Sequence, residues 1–173
     1  YSSLSAITTG SDNIAIGAGS FRNSATSDDN VAIGTVALEF NLTGNGNVAI
    51  GDHASRYNLG ANNVVIGRNA GDGTSGNTDY DNSILIGSGA GGNDLTANNS
   101  VFIGNNAGTL VTTGNGNTAV GAFALDAETT GIQNTALGWG TLSAQNGNNN
   151  NTALGYLSGS SITSGGSNTA VGS

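Results

Sequence analysis

The chain has 173 residues, a length typical of one domain, and contains 30 Gly but no Pro, Cys or Met. Only 8% of its residues are charged and three are basic, so the formal net charge of −8 argues against nucleic acid or an anionic membrane as a partner. No apolar run approaches the roughly 20 residues of a transmembrane helix, so membrane insertion is not expected, and the absence of Cys excludes disulfides.

Ten short apolar runs, each closed by a glycine, follow one another along the chain. Seven of the nine steps between closing glycines are seventeen residues long, one is sixteen and one is twenty. In chain order the closing glycines are Gly17, Gly34, Gly51, Gly67, Gly87, Gly104, Gly121, Gly138, Gly155 and Gly172. This regularity excludes disorder and predicts a repeat architecture. Residues 1–173 are interpreted as one repeat array, and because no terminal caps are recognised we expect a segment of a longer fibre.

Positions in each repeat are counted here from the closing glycine, which is position 0. Each run has a mostly β-branched residue at −3, a mostly small one at −2 and an aliphatic one at −1, as in Asn30–Ile33. Because side chains alternate across a strand, positions −3 and −1 share one face and −2 takes the other. We expect the −3 and −1 residues to fill the interior. The −2 residues are then expected on the outside, facing another copy; they are Ala15, Ala32, Ala49, Val65, Leu85, Phe102, Ala119, Ala136, Ala153 and Ala170.

A second segment follows each closing glycine, with a small residue at +3 and Leu, Phe, Gly or Ser at +4, as at Ala37 and Leu38. Gly or Asn recurs about seven residues before the next closing glycine, as at Gly44 and Gly60, where positive φ angles of tight turns are expected. The Asn that opens most runs is suited to a hydrogen-bonded ladder of amides. Four-residue runs are too short for helices. We therefore predict an all-β fold, a parallel β-solenoid of about ten seventeen-residue coils, each with two short strands and two turns.

The twenty-residue step contains an irregular insertion at 68–83. Its candidate ligand-binding residues are Asp72, Asp79, Tyr80 and Asp81, which would offer oxygen ligands to Ca²⁺ or another ligand. The segment lacks EF-hand spacing, and a tolerated surface insertion is the alternative.

No other constellation indicates chemistry. His53 is the only histidine, there is no Cys or Lys, and the carboxylates are too scattered for a glycosidase pair. We expect no enzymatic activity, no metal site and no cofactor. Phe40 and Tyr57 lie seventeen residues apart, as do Trp139 and Tyr156. Packing along the rod or between chains is the favoured interpretation of these pairs, and stacking on sugar rings is the alternative.

Position −3 is Thr in the last four repeats, at Thr118, Thr135, Thr152 and Thr169. Ice-binding solenoids present flat threonine ladders, so ice binding is a minor alternative. Because the first six repeats have Ile or Val at this position, a core column that accommodates Thr is the favoured interpretation.

The units "NVAIG", "NIAIG" and "NTAVG" resemble the head repeats of YadA-like trimeric autotransporter adhesins, and similar repeats occur in phage tail fibres and large bacterial surface proteins. The resemblance covers essentially the whole chain, although the period is a few residues longer than in the adhesins. It implies a left-handed parallel β-roll and a homotrimer, with Val48 and Ile50 inside the coil and Ala49 at the threefold axis. The function it implies is a structural one. The chain would be a stiff segment of an extracellular, cell-surface or virion fibre that also serves attachment. A glycan- or protein-binding module on the solenoid face is the alternative.

Overall fold

The computed structural model describes residues 2–5, 9–24, 26–73, 78–92 and 95–173. Within these ranges the chain has no helix and forms ten three-residue strands, one per repeat. They are β1 (Ile14–Ile16), β2 (Val31–Ile33), β3 (Val48–Ile50), β4 (Val64–Ile66), β5 (Ile84–Ile86), β6 (Val101–Ile103), β7 (Thr118–Val120), β8 (Thr135–Leu137), β9 (Thr152–Leu154) and β10 (Thr169–Val171). All ten belong to one parallel sheet in chain order, which confirms a β-solenoid, here of about nine turns.

Every strand pairs with the same three positions of the next repeat. Ala32 is opposite Ala49, for example, and the pairing is kept across the longest step, where Val65 is opposite Leu85. The irregular insertion is therefore accommodated outside the strands.

The −2 column lies inside the coil, opposite to the predicted orientation. Eight of its ten residues are fully buried, namely Ala32, Ala49, Val65, Leu85, Phe102, Ala119, Ala136 and Ala153. The remaining two, Ala15 and Ala170 in the end strands, are partly buried against the same core. The −3 and −1 residues, which include Val48 and Ile50, point outwards and are only partly buried or exposed. The prediction of a −2 column on the outer, threefold-axis face is wrong.

Steric room explains this orientation. Position +4 of each coil shares the interior with position −2. A Cβ at Gly108 would lie 2.9 Å from three atoms of the Phe102 ring, and one at Gly91 would lie 3.0 Å from Leu85 Cδ2. Where the side chain at position −2 is large, the residue at position +4 is therefore glycine. A coil this narrow has no space for two branched side chains from every strand, and these point outwards.

The second segment of each coil is a series of turns and not the predicted second strand. Its backbone enters the left-handed region at both +2 and +4, with φ of 49° at Val36 and at Leu38. Bonding between coils nevertheless continues here, since the Leu38 N–H donates to the Ala54 carbonyl at 3.1 Å.

Two columns of glycine are required for different reasons. Closing Gly51 has φ of 139°, and a Cβ there would lie 2.6 Å from the carbonyl oxygen of Gly67. Gly44 has no positive φ, which contradicts the prediction at this position, although Gly165 of the same column has φ of 96°. At Gly44 a Cβ would instead collide with the Gly60 carbonyl oxygen of the next coil. The close approach of successive coils selects glycine at Gly44.

The predicted ladder of Asn side chains is confirmed. Asn134 Oδ1 accepts the backbone N–H of Asn151 at 2.9 Å, and Asn134 Nδ2 donates to the Asn148 carbonyl at 2.7 Å. Where Ser replaces Asn the ladder continues, because Ser83 Oγ accepts the N–H of Ser100 at 3.2 Å. This buried column fixes the corner that precedes every strand.

Candidate functional site

The −3 and −1 side chains of the ten strands form one continuous outward surface, called the sheet face below. It contains only Ile, Val, Leu and Thr. Exposure is substantial, at 59% for Ile16, 44% for Leu137 and 45% for Leu154. Nine interstrand steps of about 4.8 Å and strands of about 10 Å give this face an area on the order of 400 Å². A charge-free face of this size is a candidate interaction surface.

The sheet face has two zones. In β1–β6 position −3 is Ile or Val, whereas in β7–β10 it is Thr. Thr135, Thr152 and Thr169 are exposed and Thr118 is partly buried. The prediction that these threonines occupy a core column is wrong, because the whole −3 column points outwards.

Aromatic residues at +1 border the second zone. Trp139 and Tyr156 are 45% and 58% exposed, and their rings stack along the rod with centroids 5.3 Å apart. Phe123 approaches Trp139 at 5.8 Å with an interplanar angle of 71°. Phe40 and Tyr57 also stack, at 4.9 Å. Packing along the rod is thus confirmed, and the ring faces that meet in each stack are covered by one another.

Charged side chains occupy position +5 of several coils. Arg22 pairs with Glu39, and Arg56 Nε lies 3.0 Å from Asp72 Oδ1. The Arg56 guanidinium also lies over the Tyr57 ring, 4.4 Å from its centroid. Burial raises the pKa of the Asp72 carboxyl, and the nearby Arg56 only partly offsets this effect.

The four candidate residues of the insertion have separate structural environments. Asp72 is held by Arg56 as described. Tyr80 is fully buried with its hydroxyl 2.7 Å from Ser55 Oγ, and burial raises the pKa of this phenol. Tyr80 is therefore a core residue and not an exposed ligand contact.

Of the other two residues, Asp81 is partly buried. Asp81 Oδ1 accepts the Ala61 N–H at 2.6 Å, while the Asp81 N–H donates to Asn98 Oδ1 at 2.7 Å. Asp79 is exposed. Residues 74–77 of the insertion lie outside the described residues. In the part of the chain that the structure does describe, no group of three or more His, Cys, Asp or Glu could hold a metal ion.

Sequence analysis missed a buried carboxylate at Glu128. Its Oε1 accepts backbone N–H groups from Thr129, Thr130, Gly131 and Gly147 at 2.6–3.0 Å. Gln145 Nε2 donates to its Oε2 at 3.1 Å. Burial alone would raise the pKa of Glu128, but these hydrogen bonds outweigh it and lower the pKa. The carboxylate thus joins its own turn, at Thr129, Thr130 and Gly131, to Gln145 and Gly147 of the next coil, so the group has a structural role.

Glu128 stands at position +7, and the sequence has further polar residues at this position in other repeats. They are Asn41, Asn58 and Gln145, and this recurrence was the signal available in the sequence. Asn41 Oδ1 accepts the Gly44 N–H at 2.7 Å and Asn58 Oδ1 accepts the Gly60 N–H at 2.9 Å. Position +7 thus caps the turn in several coils.

Comparisons of the chain with protein-family models, with curated proteins and with solved structures find no match. Among the described residues no helix is long and apolar enough to cross a membrane. The functional interpretation therefore depends on the surfaces of the solenoid itself.

Proposed function

We propose that this chain is a stiff segment of a homotrimeric fibre, located outside the cell or on a virion, that serves as shaft and surface attachment. The observation that supports this proposal is the uncharged sheet face, which runs the length of the solenoid. Its exposed aliphatic side chains favour burial against other copies of the chain.

Stiffness follows from the bonding between coils. Backbone hydrogen bonds, the Asn ladder and the buried −2 column all run parallel to the rod, so bending would break several interactions in each coil. The interior of one coil is thin, and association through the sheet face would add apolar burial that a single chain lacks. The number of three chains, the left-handed coil and the extracellular setting come from the resemblance to adhesin head repeats.

The mass of the particle in solution tests this proposal. Light scattering on a gel-filtration column is expected to give about three times the chain mass of 16.8 kDa. Leu137→Asp should reduce the mass to that of a single chain, because it places a charge within the sheet face.

The matched control is Leu42→Asp. Leu42 is 48% exposed, close to the 44% of Leu137, but it lies in a turn away from the sheet face. A single-chain mass for the unaltered protein, or equal dissociation by both variants, would overturn the proposal. Ala119→Asp is not a useful probe of assembly, since Ala119 is fully buried within its own coil and the charge would unfold that coil.

Ice binding is the second candidate function, favoured by the outward orientation of the threonines of β7–β10. Exposed Thr and aliphatic residues alternate there on a regular parallel sheet with strands about 4.8 Å apart. This function needs an uncovered sheet face, so it competes with trimer formation. Thermal hysteresis in a solution of single chains, abolished by Thr152→Lys, would replace the fibre proposal by this one.

A further inference from the structure

A notch lies in the surface beside the aromatic pair Trp139 and Tyr156. It has a volume of about 290 Å³ and is lined by Phe123, Asp126, Trp139, Gly140, Ser143 and Leu157. The notch exists because Gly140 has no side chain at +2, whereas Phe123 and Leu157 occupy +2 in the coils before and after it. Two aromatic rings, an aliphatic wall and a carboxylate thus meet in one depression.

Asp126 is an acid without a cation in this part of the rod. It lies at +5, where its neighbours in the adjacent coils are Thr109 and Ser143. The three basic residues of the chain, Arg22, Arg56 and Arg68, all belong to the first half of the sequence. Burial also raises the pKa of the Asp126 carboxyl. A cationic group placed beside Asp126 would offset this desolvation.

The chain contains its own example of an arginine that contacts an aromatic ring and a carboxylate, although that ring, Tyr57, stands at +6 and not at +1 or +2. The Arg56 guanidinium carbon lies 4.4 Å from the centre of the Tyr57 ring, and Arg56 Nε lies 3.0 Å from Asp72 Oδ1. A second notch, of about 230 Å³ beside Gly19, is lined at +5 by the Arg22–Glu39 pair. At the Gly140 notch the rings and the acid are present, but Ser143 supplies no positive charge.

We propose that the Gly140 notch binds the guanidinium group of an arginine side chain from a partner protein. Its planar cation would pair with the Asp126 carboxylate and contact the rings of Phe123 and Trp139. A neutral sugar fits less well, because Trp139 and Tyr156 cover one another's inner ring faces and Asp126 would remain without a counter-charge. All six lining residues belong to one chain, so this binding does not depend on the fibre proposal.

Trp139 is the only tryptophan, so its indole N–H signal in NMR spectra and its fluorescence report on this notch alone. Titration with N-acetylarginine amide is expected to shift both signals in a saturable manner. N-acetylcitrulline amide has nearly the same shape but no charge, and it should bind at least about tenfold more weakly. The proposal would be overturned if the citrulline compound bound as tightly as the arginine compound. It would also be overturned if the signals did not respond to arginine, or if they responded to methyl glucoside instead.

Two variants locate the binding group. Asp126→Asn should weaken arginine binding by up to about fivefold, whereas Asp29→Asn, which alters an exposed acid in another part of the rod, should leave it unchanged. Ser143→Arg should abolish binding, because it supplies a cation from within the chain as Arg22 and Arg56 do in their coils. Unchanged arginine affinity in both Asp126→Asn and Ser143→Arg would contradict the assignment of this notch.

Discussion

Truncation of Phe102 tests which side chains fill the coil. Phe102 is fully buried at position −2 of β6, and Gly108 across the interior has no side chain to fill a void. Phe102→Ala should therefore destabilise the protein by about 3–5 kcal/mol, as for other buried aromatic residues. Its neighbour Ile103 points outwards and is only partly buried, so Ile103→Ala should cost about 1 kcal/mol in a single chain.

A second substitution should recover most of the loss. The next coil combines Ala119 at −2 with Leu125 at +4, where φ is 52°. Gly108 has φ of 59°, so Leu can adopt the same conformation there. Phe102→Ala combined with Gly108→Leu should leave a loss of about 1–2 kcal/mol, the cost of a left-handed Leu. Gly108→Leu alone should destabilise by overpacking against the Phe102 ring, by about 1–3 kcal/mol on top of the cost of the left-handed Leu.

Urea denaturation followed by circular dichroism measures these changes, and amide hydrogen exchange locates them, since repeat arrays need not unfold in one step. The comparison is made in the Leu137→Asp background, so that loss of association does not add to the effect at Ile103. A double variant no more stable than Phe102→Ala alone would refute the shared interior of −2 and +4. A larger loss for Ile103→Ala than for Phe102→Ala would refute the inward orientation of −2.

Three further changes have defined expectations. Asn134→Ala should lower the free energy of unfolding by about 2 kcal/mol, because it leaves the buried hydrogen-bond partners in the ladder unsatisfied. Asn134→Ser should lower it less, because Ser83 occupies the same column. The midpoints of urea denaturation measure both changes. The lowered pKa of Glu128 stabilises the folded state at pH values above the ordinary carboxyl pKa of about 4.3, and this contribution is lost as pH falls through the folded pKa. The unaltered protein should therefore exceed Glu128→Gln in free energy of unfolding at neutral pH, and this difference should shrink in acid. A difference that does not change with pH would contradict an ionised Glu128. Gly51→Ala should prevent stable folding, whereas Gly172→Ala, at a similar φ but with no atom within 4 Å of the added Cβ, should lower the melting temperature only slightly.

The irregular insertion shows how local sequence can mislead. Asp72, Asp79, Tyr80 and Asp81 are polar or aromatic and close together in the chain, which favoured a ligand loop. Tyr80 instead extends into the space beside Gly71, where a Cβ would contact its ring and hydroxyl. The hydroxyl of Tyr80 also contacts Ser55 of the preceding coil, 25 residues earlier, and no local pattern could have predicted that contact.

The sequence by itself determined the repeat, the positions of the ten observed strands, their pairing in parallel register and the Asn ladder, because each depends on residues that recur at a fixed spacing. The second strand that it predicted in each coil is replaced by turns. The sequence did not determine which face of the strand points inwards, since alternation only separates −2 from −3 and −1. The available signal for the inward face was the pairing of large −2 residues with a glycine at +4, at Leu85 and Phe102. Only the tertiary structure decided the matter, because the width of the coil is set by the turns at +2 and +4. Those turns leave room for the −2 and +4 side chains and turn the branched residues outwards.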